Sequence, residues 1–206
     1  MPDACQNQKN FPKHYDGTFQ EYVTAPWTSL MPLDPINLDS ALKALRESNI
    51  RKNDVVLIWG IGGGIGHLAG MMARKIFGAS VIGVDHADKI LELEASTRHQ
   101  LCDNFVAASK ILGNNDGFAA QVYKTCIGLR GGRFEPKQPD VIIVAASSEE
   151  PYRWINLVRD GGIVACLIVL SSTATLSVQI AEFVERQICI KGVMMGGAAE
   201  SYQVMQ

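Results

Sequence analysis

The stretch that most limits how this chain can fold is an apolar run broken by glycines. Asp54–Trp59 (DVVLIW) is almost uninterrupted β-branched and aliphatic sequence. It passes directly into Gly60-Ile61-Gly62-Gly63-Gly64-Ile65-Gly66. An apolar helical pattern follows from about Gly64 to Phe77, and then a second strand-like run, Ser80–Asp85 (SVIGVD). Strands that are apolar on both faces belong in a sheet covered on both sides. Between such a strand and the next helix, glycines permit a tight turn, close approach of backbone to a phosphate, and close packing of helix on strand. The helix start then offers free N–H groups and a partial positive charge. The literal G-x-G-x-x-G spacing is replaced by G-x-x-G-G-x-G (Gly60, Gly63, Gly64, Gly66), a turn one residue longer. Its place after a strand and before a helix points to a dinucleotide pyrophosphate. The competing reading is a tight turn that binds nothing.

The same rhythm continues along the chain. Helical patterns over Ala87–Gln100, Phe118–Leu129, Glu149–Val158 and Val178–Arg186 alternate with strand runs at Asn104–Ala107, Pro139–Ala145, Gly162–Leu170 and Ile188–Val193. An amphipathic helix over Leu38–Asn49 precedes the first strand. Alternating strands and helices with right-handed crossovers predict an α/β fold with a doubly wound parallel sheet of about six strands. The first 37 residues differ, holding five of the eight prolines and little sustained periodicity. Within them Gly17–Ala25 (GTFQEYVTA) reads as one strand after an Asp16-Gly17 turn. The chain therefore divides into residues 1–37 and a dinucleotide-binding unit over residues 38–206.

Asp85 ends the second strand, 19 positions after Gly66. A carboxylate there can accept hydrogen bonds from the hydroxyls of an adenosine ribose and would repel a 2′-phosphate, which favours NAD over NADP. The alternative is a solvated strand-end aspartate. Other chemistries find no footing: the chain has no H-E-x-x-H, no G-x-S-x-G, no GK[ST] after the glycines, and no Tyr followed four residues later by Lys. A net charge of −2 gives no electrostatic pull toward nucleic acid or anionic membrane. The longest apolar run, Ile163–Leu170, is too short to span a bilayer. The N-terminus has no secretory pattern. Five scattered cysteines without a CxxC pair predict free thiols and a cytosolic setting. Cys102, Cys126, Cys166 and Cys189 read as small core residues, and Met194-Met195 as strand-end packing. His67 starts the first crossover helix within reach of a phosphate, but reads as a helix-face residue. His86, beside Asp85, either lines an adenosine site or is solvated, and the solvated reading is favoured.

Four segments together resemble a known family: DGTFQEYV (Asp16–Val23), ALRESNI before the first strand, WGIGGGIGHLAGMMARKIFGASVIGVD, and LVRDGGIVACLIVL. They are similar to the zinc-containing medium-chain alcohol dehydrogenases, the yeast and fungal type above all, from about Cys5 to the C-terminus. The resemblance implies a six-stranded cofactor domain, and it makes residues 1–37 a remnant strand segment of a β-rich, GroES-like catalytic domain. It implies hydride transfer between a small alcohol or aldehyde and nicotinamide, with zinc polarising the oxygen. The expected cofactor-binding set is Gly60, Gly62, Gly63, Gly64, Ile65, Gly66, Asp85, Lys89, Ala146, Ser147 and Val169. Lys89 lies four residues past Asp85, where the family has five.

Against the family pattern, the chain reads as truncated at both ends and lacking an internal segment. Two catalytic-zinc ligands would precede Met1. Leu33–Ser40 has no Cys where the family has its later one. Cys5 stands alone where the structural zinc would have four thiolates. No catalytic residue and no metal ligand is therefore expected here, although zinc is expected of the family. The functional expectation is retained NAD binding without the zinc and substrate site. The alternatives are a non-catalytic NAD-binding or interaction module and an S-adenosylmethionine-dependent methyltransferase. The strand at 17–25, deprived of its usual cover, leaves homo-oligomerisation open.

Overall fold

The computed structural model describes residues 39–93, 99–108, 115–132, 136–168, 175–176 and 178–194. The expected strand at 17–25 lies outside the described residues. Helix α1 spans Asp39–Glu47 and leads into strand β1, Val55–Trp59. Helix α2 (Gly64–Lys75), strand β2 (Ser80–His86), helix α3 (Ala87–Glu92) and strand β3 (Asn104–Ala108) follow. Helix α4 (Asn115–Leu129), strand β4 (Val141–Val144), a 3₁₀ segment (Glu150–Leu157), strand β5 (Ile163–Cys166), helix α5 (Ile180–Glu185) and strand β6 (Cys189–Gly192) complete the order.

All six strands join one sheet in the order β3-β2-β1-β4-β5-β6, and every pair is parallel. The chain works outward from β1 to β3, then returns to the other side of β1 with β4. That reversal opens a crevice beyond the carboxyl ends of β1 and β4, where such sheets bind ligands.

Each sheet face carries its own core because successive strand residues point to opposite sides. Val56 and Ile58 of β1 and Ile143 of β4 pack with Leu42, Leu45, Ala69 and Ala73 of α1 and α2. Val55, Leu57 and Trp59, with Ile142 and Val144, face the other way onto Phe118, Val122 and Cys126 of α4. Trp59 stacks at 5.3 Å from Phe118, which in turn lies 4.8 Å from Trp154. The doubly wound sheet is thus as expected. No helix among the described residues is long and apolar enough to cross a membrane.

Two elements differ from their sequence reading. The helix expected over Ala87–Gln100 ends at Glu92, and Leu93 is extended (φ −65°, ψ 128°). None of the α3 residues is buried; residues 94–98 lie outside the described residues, and residues 99–101 are again helical, as the expected span has it for 99 and 100. The helix expected over Glu149–Val158 is a 3₁₀ segment. Pro151, Trp154 and Leu157 recur every three residues, which aligns them on one 3₁₀ face rather than one α face. Pro151 and Leu157 are buried and Trp154 packs partly against the same core.

Candidate dinucleotide site

The site begins with the turn after β1. Gly60 has φ +79°, which only glycine adopts without strain, and a Cβ there would stand 2.9 Å from Ala145 O and Ala146 N. The Gly60 N–H donates to Val84 O (2.8 Å), and the Gly63 N–H donates back to Gly60 O (3.0 Å). These bonds curl the chain over the end of the sheet and start α2 at Gly64. At Gly66 the helix presses against the turn, so that a Cβ would stand 2.0 Å from Gly60 O. Gly64 is different. Its surroundings are empty to 4 Å, and helix stability would favour alanine there. Packing among the described residues therefore does not require glycine at Gly64, in contrast to Gly60 and Gly66.

Asp85, on β2, is 6% exposed. Its Oδ2 accepts the Gly62 N–H at 3.0 Å and its Oδ1 accepts the His86 N–H at 2.9 Å. The carboxylate is thereby fixed beside the glycine turn, with lone pairs remaining for a ribose hydroxyl. Lys89 Nζ lies 4.0 Å from Asp85 Oδ1 on a largely exposed side chain, a loose ion pair that can turn toward a ligand. Ile65 is half-buried against the first core. Ala146 and exposed Ser147 follow β4 across from Gly60. The fold therefore brings Gly60–Gly66, Asp85, Lys89, Ala146 and Ser147 to one edge of the sheet; Val169 lies outside the described residues.

Two histidines gain weight from the structure. His86 is half-buried, and its Nδ1 is buried with no hydrogen-bond partner, which corrects its reading as solvated. The ring is drawn in because β2 continues one residue past Asp85 and pairs His86 with Ala108. A buried nitrogen with no partner among the described residues, next to Asp85, is a group that a ligand can satisfy. His67 lines a shallow depression of about 260 Å³ with Gly62, Gly63, Gly64 and Leu68. The place of His67 at the start of the helix is as the sequence reads; the burial of His86 could not be found from spacing, because it depends on where β2 stops.

The described residues do not fit zinc. Among them no three His, Cys, Asp or Glu side chains come together as a metal could require. Burial pushes the Cys102 and Cys126 thiols up to about 12, far from the thiolate that zinc needs. These two are core residues as expected, and Cys166 is half-buried. Cys189 is exposed, because β6 is the open edge of the sheet, and is not a core residue. Met194 is likewise 42% exposed beyond the end of β6, not packed. Under native conditions at pH 8, iodoacetamide is expected to alkylate Cys189 readily. Cys102 and Cys126, with roughly one thiolate in ten thousand, should stay unlabelled until the protein unfolds. Peptide mass mapping after a timed pulse checks this.

No protein-family model matches the chain. Among curated proteins it is 27% identical over 216 residues to Alcohol dehydrogenase 2 of Emericella nidulans, covering 98% of this chain and 56% of that protein. It is 35% identical over 96 residues to an alcohol dehydrogenase of Geobacillus stearothermophilus, covering 41% of this chain and 28% of that protein. A crystal structure of an NAD-dependent alcohol dehydrogenase superposes over 98% of this chain and 57% of its own, with a TM-score of 0.71 at 22% identity. That likeness shows the shared fold. The chain spans about half the length of the first curated relatives it matches.

Proposed function

We propose that this chain, similar in sequence and fold to the zinc-containing medium-chain alcohol dehydrogenases, binds NAD(H) across the carboxyl ends of β1 and β4 and forms the cofactor half of such an enzyme. The observation that carries the reading is Gly64. It opens α2 with empty space over it, beside a buried carboxylate fixed by the turn itself. Residues 38–206 are the cofactor domain, and residues 1–37 are a segment of the catalytic domain.

NAD supplies a nicotinamide that takes or gives a hydride. The chain's own residues do the holding. The amides at the start of α2 receive the pyrophosphate, helped by the absence of any acidic residue in the first helical turn. Asp85 accepts from the ribose hydroxyls, and Lys89 stands at the rim to meet the same sugar. The zinc and the alcohol pocket are proposed to be absent from these 206 residues, so no proton or hydride step is assigned to a side chain here. The free, largely buried cysteines suit a reducing compartment, and a cytosolic setting is proposed with the rest.

Asp85→Asn tests the reading. Its amide oxygen can still accept the Gly62 N–H while the charge is lost, but its NH2 then faces the His86 N–H, so thermal unfolding is measured beside binding to separate a disturbed turn from a lost contact. A hydrogen bond to a charged group is worth about 1.5–3 kcal/mol, so NAD affinity should fall roughly 10- to 100-fold. The preference over NADP should shrink as well, since the repulsion of a 2′-phosphate goes with the charge. Calorimetric titration of both cofactors into both proteins decides it. Equal NAD and NADP affinity in the unsubstituted chain would refute the assignment of Asp85. Binding of S-adenosylmethionine in place of NAD would favour the methyltransferase alternative.

A further inference from the structure

We propose that His67 is an additional ligand contact, its imidazole N–H donating to the pyrophosphate of a dinucleotide seated on Gly62–Gly64. The inference rests on the dinucleotide reading above and adds a residue that the glycine motif does not contain. Side chains on a helix lean back toward its N-terminus and cover the turn before their own Cα. For His67 that turn is Gly63 and Gly64, and the His67 N–H donates to Gly63 O at 2.8 Å, which fixes the backbone in that register. Because both residues lack side chains, neither of them places a side chain between the imidazole and the helix start. Gly62, Gly63, Gly64, His67 and Leu68 line one depression, and His67 carries the only polar side chain among the five.

The local charge suits an anion. The first turn of α2 holds no carboxylate that would occupy the ring. The nearby Asp85 carboxylate is already engaged by the Gly62 and His86 amides, with Lys89 beside it. Among the described residues no side-chain hydrogen bond or ion pair commits the His67 ring elsewhere. A ring of this kind can turn toward a phosphate oxygen without breaking any contact. The Gly62 and Gly63 N–H groups are held by Asp85 and Gly60 O, so a pyrophosphate would meet the N–H of Gly64 at the helix start on one side and an imidazole donor on the other.

The test compares NAD⁺ dissociation constants of the full chain, His67→Ala and His67→Gln by titration calorimetry, with thermal unfolding of each. The expected result is roughly tenfold weaker binding for His67→Ala. His67→Gln, which keeps an N–H donor, should recover most of that loss. Unfolding midpoints should agree within about 2 °C. A purely structural role for the ring would move the midpoint and would not be rescued by glutamine. If the unsubstituted chain binds NAD⁺ and all three constants agree within twofold, the His67 contact falls and the dinucleotide reading stands. Glutamine no better than alanine also overturns the contact. If the unsubstituted chain binds no NAD⁺, both fall together.

Discussion

Gly66→Ala is expected to destabilise the protein by about 3 kcal/mol or more, seen as a large drop in the urea midpoint at unchanged slope. The added methyl would stand 2.0 Å from Gly60 O and 2.7 Å from Gly60 C. Both are backbone atoms, so no flexible side chain can swing aside. Gly60 cannot retreat either. Its own φ of +79° and its contacts with Ala145 and Ala146 pin it between α2 and the loop after β4. Relief must come from moving α2 away from β1, which opens the core where Ile61, Ala69 and Ala73 pack against Val56 and Ile58. Gly64→Ala supplies the contrast. A methyl there meets nothing within 4 Å, and alanine suits a helix better than glycine by up to about 1 kcal/mol. Stability should hold or rise slightly while NAD affinity falls at least roughly tenfold, because the methyl occupies the pyrophosphate's approach. One loop thus contains a glycine that the fold needs and a glycine that the ligand needs. A Gly64→Ala protein that binds NAD as before would take away the main support for the site.

The sheet is legible in the sequence because its central strands are buried on both faces and so are written as unbroken Val/Ile runs. VVLIW, SVIGV and VIIV need no side-chain alternation to be read, and burial of every residue of β1 and β4 bears this out. The glycine turn was legible because its residue types are forced by backbone geometry at Gly60 and Gly66. Helix ends were less so. α3 stops where Leu93 turns extended and packs against the first core, a tertiary contact that helical spacing does not reveal. The 3₁₀ segment reads as an amphipathic helix until its three-residue spacing is weighed against the Phe118 ring that receives Trp154. His86 departs from its sequence reading for a related reason. A histidine after a strand-end acid looks solvated unless the strand runs one residue further, and only the pairing with β3 sets that length.

The second large effect is expected at the opposite edge of the sheet, far from the ligand. Asp140 precedes β4 and is almost fully buried. Its Oδ2 accepts the Val55 N–H at 2.7 Å and Arg130 Nη2 at 2.6 Å, and its Oδ1 accepts Arg159 Nε at 2.6 Å. Arg130 also donates to Pro136 O and Gln138 O, so one carboxylate anchors the loop before β4, the end of α4 and the start of β1. Removing one partner of a buried ion pair typically costs about 3–5 kcal/mol, because the remaining charge stays desolvated and uncompensated. Asp140→Ala leaves the well-buried Arg130 guanidinium in that state and also strands the Val55 N–H, so a loss in this range is expected in urea denaturation. Asp140 is also one of the groups holding the Asp54 carboxyl above its usual range, after burial, which is the larger cause. In Asp140→Ala the Asp54 carboxyl should therefore titrate lower, as NMR of the folded fraction would show. Cofactor binding should be spared in whatever fraction stays folded. Val55 and Gly60 stand at opposite ends of β1, and neither the turn nor Asp85 touches the arginine pair. A matched fall in NAD affinity for folded Asp140→Ala would mean that the two sheet edges are coupled through β1, and the crevice could no longer be treated as set by its own turn.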